Sequence, residues 1–417
     1  MKFLARIKKF LNIMGPGLIT GASDDDPSGI ATYSQAGAQF GLATLWTALL
    51  TFPLMAAIQG MCARIGLVTS QGLTVTLKQH YSKPLLYTML LFSFPAITLN
   101  IGADLQGMGA VANMIFPAIP VSVFCILFTA ILMFVIIKYP YQKIAMILKW
   151  LCLSLLLYMI VPFMVKQDWV LIAKNTFIPI IKFNKDFISI LVAILGTTIS
   201  PYLFFWQATM EAEGVAHSQQ KVIVDKRVLN NMKTDVNIGM LLSNVVMFFI
   251  ILTTGSVLFP AGIVHIDTVD QAAKALEPLA GKFTYLIFAL GILGTGLLAI
   301  PVLAGSQSYM LAETFGWEAG LDKKFTQAKA FYVAIIISLL VGLSLDFLGV
   351  SPIKALLYTA ISYGLTAPVL IAIILHIGNN KKIMGANTNS DFSNLLGFIT
   401  LILMTIAAIT LIYFLFT

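Results

Sequence analysis

Long apolar stretches recur along almost the whole chain, and they leave few fold classes open. About 20 consecutive apolar residues are enough to cross the hydrocarbon region of a bilayer as a helix. Of the 417 residues, 59% are hydrophobic and only 11% are charged, so a soluble domain could not cover its surface with polar groups. The stretches are continuous rather than alternating, which argues against a transmembrane barrel. The sequence therefore predicts a polytopic α-helical membrane protein.

The apolar stretches predict eleven helices. They lie near 14–40, 42–68, 85–112, 117–138, 143–165, 188–212, 235–259, 284–312, 330–348, 351–377 and 395–416. The longer connections between them carry most of the charge. The start of the chain, MKFLARIKKF, is basic but is followed by no convincing cleavage site, so we expect no cleavable signal peptide.

The distribution of Lys and Arg predicts the orientation in the membrane. Most of these residues fall on the side that also holds the N-terminus, which favours a cytoplasmic N-terminus and an extracellular C-terminus in the plasma membrane. This topology explains the net charge of +8 better than nucleic-acid binding does. The expected surroundings are therefore the lipid bilayer, with no nucleic-acid partner. The sequence does not fix an oligomeric state, and a monomer is compatible with it.

Residues 23–29, SDDDPSG, place three aspartates inside the first predicted helix. Pro27 removes a backbone donor and Gly29 loosens the backbone, so the helix should unwind there and leave carbonyl oxygens unpaired. Such backbone survives at membrane depth only where it is buried in protein or lines a cavity. Carbonyls beside carboxylates suit a hard cation. We therefore interpret Asp24, Asp25 and Asp26 as cation ligands or as their electrostatic support.

A second proline interrupts the sixth predicted helix, LGTTISPYLFFWQATMEAEG. Pro201 should expose carbonyls near Thr197 and the hydroxyl of Ser200. The two interrupted helices are five helices apart, so they could open two five-helix units of opposite orientation. Paired interruptions of this kind indicate the binding site of a transporter. Two simpler readings stay open: a wet loop between short hydrophobic pieces, and ordinary proline kinks.

Other polar residues within the apolar stretches are weaker candidates. Asp104 is an ionisable group inside the third predicted helix, where function is the default interpretation, although a neighbouring hydroxyl could also pair with it. Gln207 could serve either the site or helix packing. Glu211 and Glu213 lie near the end of the sixth predicted helix, where we expect a solvated face.

The residues around both prolines resemble a known family. The segment GPGLITGASDDDPSGIATYSQAGAQFGLATLW resembles the first helix of the natural resistance-associated macrophage protein (NRAMP) metal transporters. The family's hallmark Asp-Pro-Gly-Asn corresponds to Asp26-Pro27-Ser28-Gly29, and its later Ala-Thr and aromatic-Gly pairs correspond to Ala31-Thr32 and Phe40-Gly41. Its Met-Pro-His in the sixth helix corresponds to Ser200-Pro201-Tyr202. The likeness runs from about Gly15 to the end of the tenth predicted helix.

The resemblance implies a fold. It is an all-α polytopic membrane protein with a LeuT-like 5+5 inverted-repeat transporter fold, broken helices 1 and 6, and about 11 transmembrane helices. The first five-helix repeat would span 1–165, followed by an extracellular loop at 166–187. The second, inverted repeat would span 188–377, and 378–417 would form a linker and an additional eleventh helix.

The resemblance also implies a metal site. The family binds its metal through the motif's aspartate and asparagine, a methionine sulfur and a carbonyl of the sixth helix. Here Asp26 keeps the aspartate and Thr197 the carbonyl, while Gly29 replaces the asparagine and Ser200 the methionine. The remaining donors are all oxygen, which favours Mg²⁺ or Mn²⁺ over softer metals. Supporting roles are expected from Asp24, Asp25, Ser28, Tyr202 and Gln207.

Proton coupling is expected to be weakened or differently routed. The family has an aspartate and, three residues on, a glutamate in its third helix; here these positions are Asp104 and Gly107. The family's histidines of the sixth helix are replaced by Tyr202 and Gln207, and the ninth predicted helix contains no arginine. Asp104 is left as the candidate group for a proton route, with H⁺ as a candidate second substrate.

The resulting functional prediction is secondary transport of a metal cation by alternating access, with the metal as substrate and no cofactor or enzymatic activity. Less selective Mn²⁺/Fe²⁺ uptake and transport of Na⁺ or Li⁺ remain alternatives, as does an organic amine or amino acid carried by the same fold. A membrane enzyme that binds Mg²⁺ for a phosphorylated lipid would need a second acidic motif, which the sequence lacks.

Overall fold

The structure is a computed structural model that describes residues 15–141, 143, 153–216 and 224–416. Over these residues the chain forms α-helices joined by loops and short 3₁₀ segments. In chain order the α-helices are α1 Pro16–Asp24, α2 Pro27–Phe40, α3 Trp46–Thr69, α4 Leu73–His80, α5 Lys83–Ile115, α6 Val121–Lys138, α7 Val161–Met164, α8 Trp169–Phe177, α9 Lys185–Thr198, α10 Pro201–Ala216, α11 Lys226–Val257, α12 Val269–Ala273, α13 Glu277–Ala280, α14 Thr284–Phe315, α15 Lys329–Ser344, α16 Pro352–Asn379, α17 Lys381–Met384 and α18 Asp391–Phe416. The 3₁₀ segments are Leu153–Met159, Lys274–Leu276, Gly281–Phe283 and Leu345–Leu348.

In the described part of the chain, nine helical segments are long and apolar enough to cross a membrane, with α9 and α10 counted as one. They match the second to fourth and sixth to eleventh predicted helices. The first predicted helix is present as the shorter pieces α1 and α2. The fifth, 143–165, is described at 143 and from 153 onward, where the 3₁₀ segment Leu153–Met159 is followed by α7. Residues 144–152 and the basic start of the chain lie outside the described residues.

Several helices extend further than the apolar stretches that predicted them. The predicted connection 213–234 is shortened from both sides, since α10 continues to Ala216 and α11 begins at Lys226. The first turns of α11 are polar, so hydropathy did not mark them as helical. An N-cap explains the early start, because the Asp225 carboxylate accepts hydrogen bonds from the backbone N–H groups of Arg227 and Val228.

The first break lies where α1 ends and α2 begins. Asp25 leaves the helical conformation with φ −82° and ψ 50°. Asp26 is extended and caps α2, because its Oδ1 accepts a hydrogen bond from Gly29 N at 2.7 Å. Pro27 occupies the first helical position, where its missing N–H costs nothing. Pro27 and the Asp26 cap together define the break, which lies at Asp25 and Asp26, just before the proline that predicted it.

The second break separates α9 from α10 at Ile199 and Ser200. Ile199 has φ −112° and ψ 60°, and Pro201 starts the following helix. The Ser200 hydroxyl lies 2.5 Å from the carbonyl oxygen of Thr197 and satisfies one acceptor at the open end of α9. The prediction of broken first and sixth helices is therefore confirmed.

Close helix packing holds both broken helices inside the bundle. The pieces α1 and α2 both pack against α11, while α9 packs against α16. A Cβ atom at Gly21 would collide with the backbone of Gly239, and one at Gly196 would collide with the backbone of α16. Glycines at these crossings let the backbones approach as small residues do in membrane helix pairs. The outermost helix, α18, covers α16, α9 and α3.

Candidate cation site at the two helix breaks

The Asp26 carboxylate is held in place from two sides. Its Oδ1 accepts the hydrogen bond from Gly29 N, and its Oδ2 accepts one from Asn100 Nδ2 of α5 at 2.9 Å. The residue is only 2% exposed. In the part of the chain that the structure describes, the only ion pair joins Lys323 to Glu318, so no protein cation neutralises Asp26. A buried carboxylate without a counter-charge is costly, and a bound cation would remove that cost.

Asp24 and Asp25 form a separate acidic pair. They are 0% and 5% exposed, and both approach the hydroxyl of Ser243 on α11. Ser243 Oγ lies 2.7 Å from Asp24 Oδ2 and 3.2 Å from Asp25 Oδ1. One hydroxyl carries one proton and can donate to only one of them at a time. Asp24 Oδ1 is buried without any hydrogen-bond partner. The pair therefore places two more carboxyl groups beside the break, and neither forms an ion pair with a residue that the structure describes.

The two breaks meet at Gly29. A Cβ atom at this position would lie 3.3 Å from the Asp24 carbonyl oxygen and 3.3 Å from Thr197 Oγ1. The space that the family fills with an asparagine side chain is therefore bordered by two oxygen atoms. Thr197 and Ser200 are each 2% exposed. Asp26, Gly29, Thr197 and Ser200 thus lie around the two breaks, where the resemblance predicts a metal site. The Thr197 atom next to Gly29 is its hydroxyl, while its carbonyl accepts the Ser200 hydroxyl.

Asp104 lies one helical turn from Asn100 on α5. Asn100 Nδ2 is 3.4 Å from Asp104 Oδ2, so the amide bridges the carboxylates of Asp104 and Asp26. Asn100 Oδ1 and Asp104 Oδ1 are buried without a hydrogen-bond partner. Gly107 is closely packed, because a Cβ there would lie 3.3 Å from Leu356 Cδ1 and 3.5 Å from Pro27 Cβ. Where the family has a glutamate, this chain therefore has a glycine that packs closely against neighbouring helices beside the break.

The remaining predicted residues join helices around the site. The Tyr202 hydroxyl donates to the carbonyl oxygen of Ser23 at 2.8 Å, which ties α10 to the end of α1. Ser28 Oγ donates to the carbonyl oxygen of Leu356 at 2.8 Å and ties α2 to α16. Gln207 Oε1 accepts from Thr20 Oγ1 at 2.5 Å, a second link between α10 and α1. These three side chains position the helix pieces.

The predicted solvated face at the end of the sixth helix is wrong for Glu211. This residue is only 8% exposed and accepts a hydrogen bond from Gln207 Nε2 at 3.0 Å. The helix continues past Glu211 and is covered there by neighbouring helices. The position of Glu211 near the end of the apolar stretch therefore did not predict its exposure. Glu213 is half-buried and accepts a hydrogen bond from the Tyr309 hydroxyl at 2.7 Å.

Sequence reasoning also missed three polar residues that support the site. Asn100 and Ser243 contact the aspartates directly. Asp235 of α11 accepts hydrogen bonds from Gly15 N at 2.8 Å and Gly17 N at 2.7 Å, and so fixes the start of α1. The sequence signal for such residues is a polar side chain within an apolar stretch. It is clearest for Asn100, which lies one helical turn before Asp104.

The aspartates do not form a preassembled cluster. Over the described ranges, no group of three or more His, Cys, Asp and Glu side chains is arranged to hold a metal ion. The reason is local: Asp24 ends α1, whereas Asp26 caps α2 and is turned toward α5. Any cation at the break must therefore draw on carbonyl, amide or hydroxyl oxygens in addition to Asp26.

Fold and site together define a helical membrane protein with two facing helix breaks around buried acids. Among solved structures, the chain is similar to the Eremococcus coleocola manganese transporter, with a TM-score of 0.76 and 17% identity, covering 97% of this chain and 87% of that one. It also resembles Mhp1, a nucleobase-cation-symport-1 family transporter in a closed conformation, with a TM-score of 0.56 and 14% identity, covering 94% and 92%. These likenesses confirm the predicted LeuT-like fold.

The sequence comparisons identify the family. The profile of the natural resistance-associated macrophage protein-like family matches residues 17–414, and the chain belongs to this family. It is 25% identical over 419 residues to the divalent metal cation transporter MntH of Clostridium acetobutylicum, covering 99% of this chain and 93% of the relative. It is 23% identical over 395 residues to MntH of Caldanaerobacter subterraneus subsp. tengcongensis, covering 94% and 90%.

Proposed function

We propose that this chain is a secondary transporter of divalent metal cations whose site is made of oxygen donors and is suited to Mg²⁺ or Mn²⁺. The observation that carries the proposal is the position of Asp26 beside both breaks, where it is buried and forms no ion pair with any residue that the structure describes. Family membership and the names of the relatives, divalent metal cation transporters, support the substrate class.

The proposed ligands are the Asp26 carboxylate, the Thr197 carbonyl and the Ser200 hydroxyl, close to the Gly29 backbone. The Asn100 side-chain oxygen is a further candidate, because it is buried, unpaired and belongs to the amide that holds Asp26. All are hard donors, and ions such as Mg²⁺ would keep some water ligands. Asp24 and Asp25 would attract the cation electrostatically.

Burial of the site supports alternating access. Asp26, Thr197 and Ser200 are at most 2% exposed, so an ion cannot reach or leave them without helix movement. The hydrogen bonds from Tyr202 to Ser23 and from Thr20 to Gln207 connect α1 with α10. We propose that these two pieces move together to open one side of the membrane while α2 and α9 close the other. An N-terminus in the cytoplasm is part of the same proposal.

A flux assay in proteoliposomes tests the function. Wild type should take up Mg²⁺ and Mn²⁺, and Asp26→Asn, which removes the ligand charge with little change in shape, should be inactive. Asp267→Asn is the matched control, because Asp267 is exposed in a loop, and it should retain wild-type flux. Equal divalent flux in Asp26→Asn and the control would refute the site, and saturable Na⁺, Li⁺ or organic-amine flux without divalent flux would refute the substrate class.

A further inference from the structure

A groove opens on the outside of the bundle, away from the cation site. Helices α11 and α18 both pack against α3 but make little contact with each other. The space between them has a volume of about 230 Å³ and is lined by residues of all three helices. It runs along the middle of α3, from Phe52 to Arg64, and meets the early turns of α11 and α18, so its Arg64 end lies in the leaflet where these two helices begin. With the predicted orientation, that leaflet is the cytoplasmic one.

The length of the groove and its apolar wall suit a hydrocarbon chain. The wall includes Phe52 and Pro53 of α3 and Leu396 of α18. From Phe52 to Arg64 the groove follows α3 for about 18 Å at 1.5 Å per residue. Gly60 lies in this wall, and a Cβ atom at Gly60 would have no neighbour within 4 Å. Open space therefore remains in the groove next to the α3 backbone.

Two cations line the same groove, Arg64 of α3 and Lys233 of α11. Arg64 Nη1 makes only long contacts, 3.4 Å each, to Thr388 O and Asn389 Oδ1. Lys233 is exposed, and neither cation forms an ion pair within the described residues.

The acids near these cations do not neutralise them. Asp235, two residues from Lys233, is engaged by the backbone N–H groups at the start of α1. Asp391, at the start of α18, is exposed and pairs with neither cation. The groove therefore combines an apolar wall with two positive charges that form no ion pair with the acids in the described part of the chain.

We propose that this groove binds one anionic phospholipid. Its phosphate lies between Arg64 and Lys233, and one acyl chain runs along Gly60 toward Phe52. Basic sites between membrane helices select anionic headgroups because each Lys or Arg near the membrane surface attracts them. The long side chains of Arg and Lys can bring their charges to the headgroup level while their stems remain in apolar surroundings. The proposal concerns lipid recognition and does not depend on which ion is transported.

The charge arm of the test uses full-length protein in vesicles of equal phosphatidylcholine and phosphatidylglycerol, followed by native mass spectrometry of the retained lipid. Wild type should retain phosphatidylglycerol in preference to phosphatidylcholine. Arg64→Gln combined with Lys233→Gln should lower that retention roughly tenfold or more, since two attractive charges are lost. The matched control is Lys226→Gln with Arg227→Gln, two exposed cations at the start of α11 outside the groove. Equal retention in both double variants would overturn the proposal.

The volume arm separates a lipid from a free phosphate. Gly60→Leu keeps both cations but fills the space next to α3. It should displace phosphatidylglycerol and leave binding of inorganic phosphate, measured by competition, unchanged. Retention of the lipid by Gly60→Leu at the wild-type level would overturn the placement of the acyl chain. Displacement of the lipid by millimolar inorganic phosphate alone would show that the two cations bind a free anion and would overturn the lipid proposal. If the Arg64/Lys233 variant fails to fold, Gly60→Leu decides the question alone.

Discussion

At the residue scale, the three consecutive aspartates have different contacts. Asp26 is fixed by Gly29 N and Asn100 at the meeting point of the breaks, whereas Asp24 and Asp25 share the hydroxyl of Ser243. A carboxylate that ligates an ion contributes more to affinity than one that only attracts it. The three charges should therefore differ in their effect on binding although they adjoin in sequence.

Single substitutions in the triplet should show this difference. Asp26→Ala should lower metal affinity by more than about 100-fold. Substitution of residues that only support metal ligands already lowers affinity about 10- to 100-fold. Asp24→Asn should lower affinity by roughly tenfold or less, through lost attraction alone. Isothermal titration with Mg²⁺ and Mn²⁺ measures both, with Asp267→Asn as the control. Equal losses for Asp24→Asn and Asp26→Ala would show that the two residues ligate the ion together.

In the proposed site, Ser200 would determine the softness of the donor set. Its side chain offers a hydroxyl where the family has a thioether, so Ser200→Met should raise transport of Cd²⁺ at the expense of Mg²⁺. Competition between the two ions in a flux assay measures the change. Ser189→Met is the control, because Ser189 is half-buried near the start of α9, away from the break.

Ready Cd²⁺ transport by wild type with exclusion of Mg²⁺ would contradict oxygen-only coordination. A sulfur ligand would then have to come from elsewhere. Met108 would be the first residue to test, because its Sδ and Pro27 both adjoin Gly296.

At the element scale, the broken helices depend on close backbone contacts. α1 is a short helix whose start is held by Asp235 and whose middle meets α11 at Gly21 and Gly239. A nine-residue helix has little stability of its own, so these contacts determine its position. Displacement of α1 would also move Asp24 and the Ser23 carbonyl that Tyr202 binds.

Gly21→Ala should therefore destabilise the fold. The new Cβ would collide with the backbone of Gly239, which cannot rotate away as a side chain could. We expect a loss of about 1–3 kcal/mol in the free energy of unfolding, the usual cost of overpacking. Gly60→Ala is the matched control, because it enters open space in another helix and should be neutral or stabilising. Thermal unfolding in the same detergent compares them, and equal stability of both variants would contradict the close crossing.

At the scale of the whole molecule, the sequence predicts the helices better than their contacts. Apolar length marks the membrane spans, and proline with a capping aspartate marks the breaks, because both are local properties. The contact between Asn100 and Asp26 joins residues 74 positions apart and depends on how α5 is rotated, which hydropathy does not encode. Burial of Glu211 likewise depends on neighbouring helices. Local chemistry therefore predicted the break beside Asp26, whereas the contacts of Asp26 required the folded structure.

Proton coupling is a property of the whole transport cycle, and we predict that it is weak or that it depends on Asp104. Gly107 packs against Leu356 and Pro27 and cannot carry a proton, Tyr202 uses its hydroxyl to bind the Ser23 carbonyl, and Gln207 has no titratable group. Asp104 remains, connected to Asp26 through the Asn100 amide.

Liposomes loaded with a pH-sensitive dye test the coupling. If one proton moved with each metal ion, the metal flux would set the expected acidification of the lumen, and wild type should fall well below it. Asp104→Asn should remove the remaining signal, because the amide side chain cannot take up a proton. Asp267→Asn, exposed in a loop, should leave the signal unchanged. Strong metal-dependent acidification that persists in Asp104→Asn would contradict this route, and protons would then have to move with Asp24, Asp25 or Asp26 at the breaks themselves.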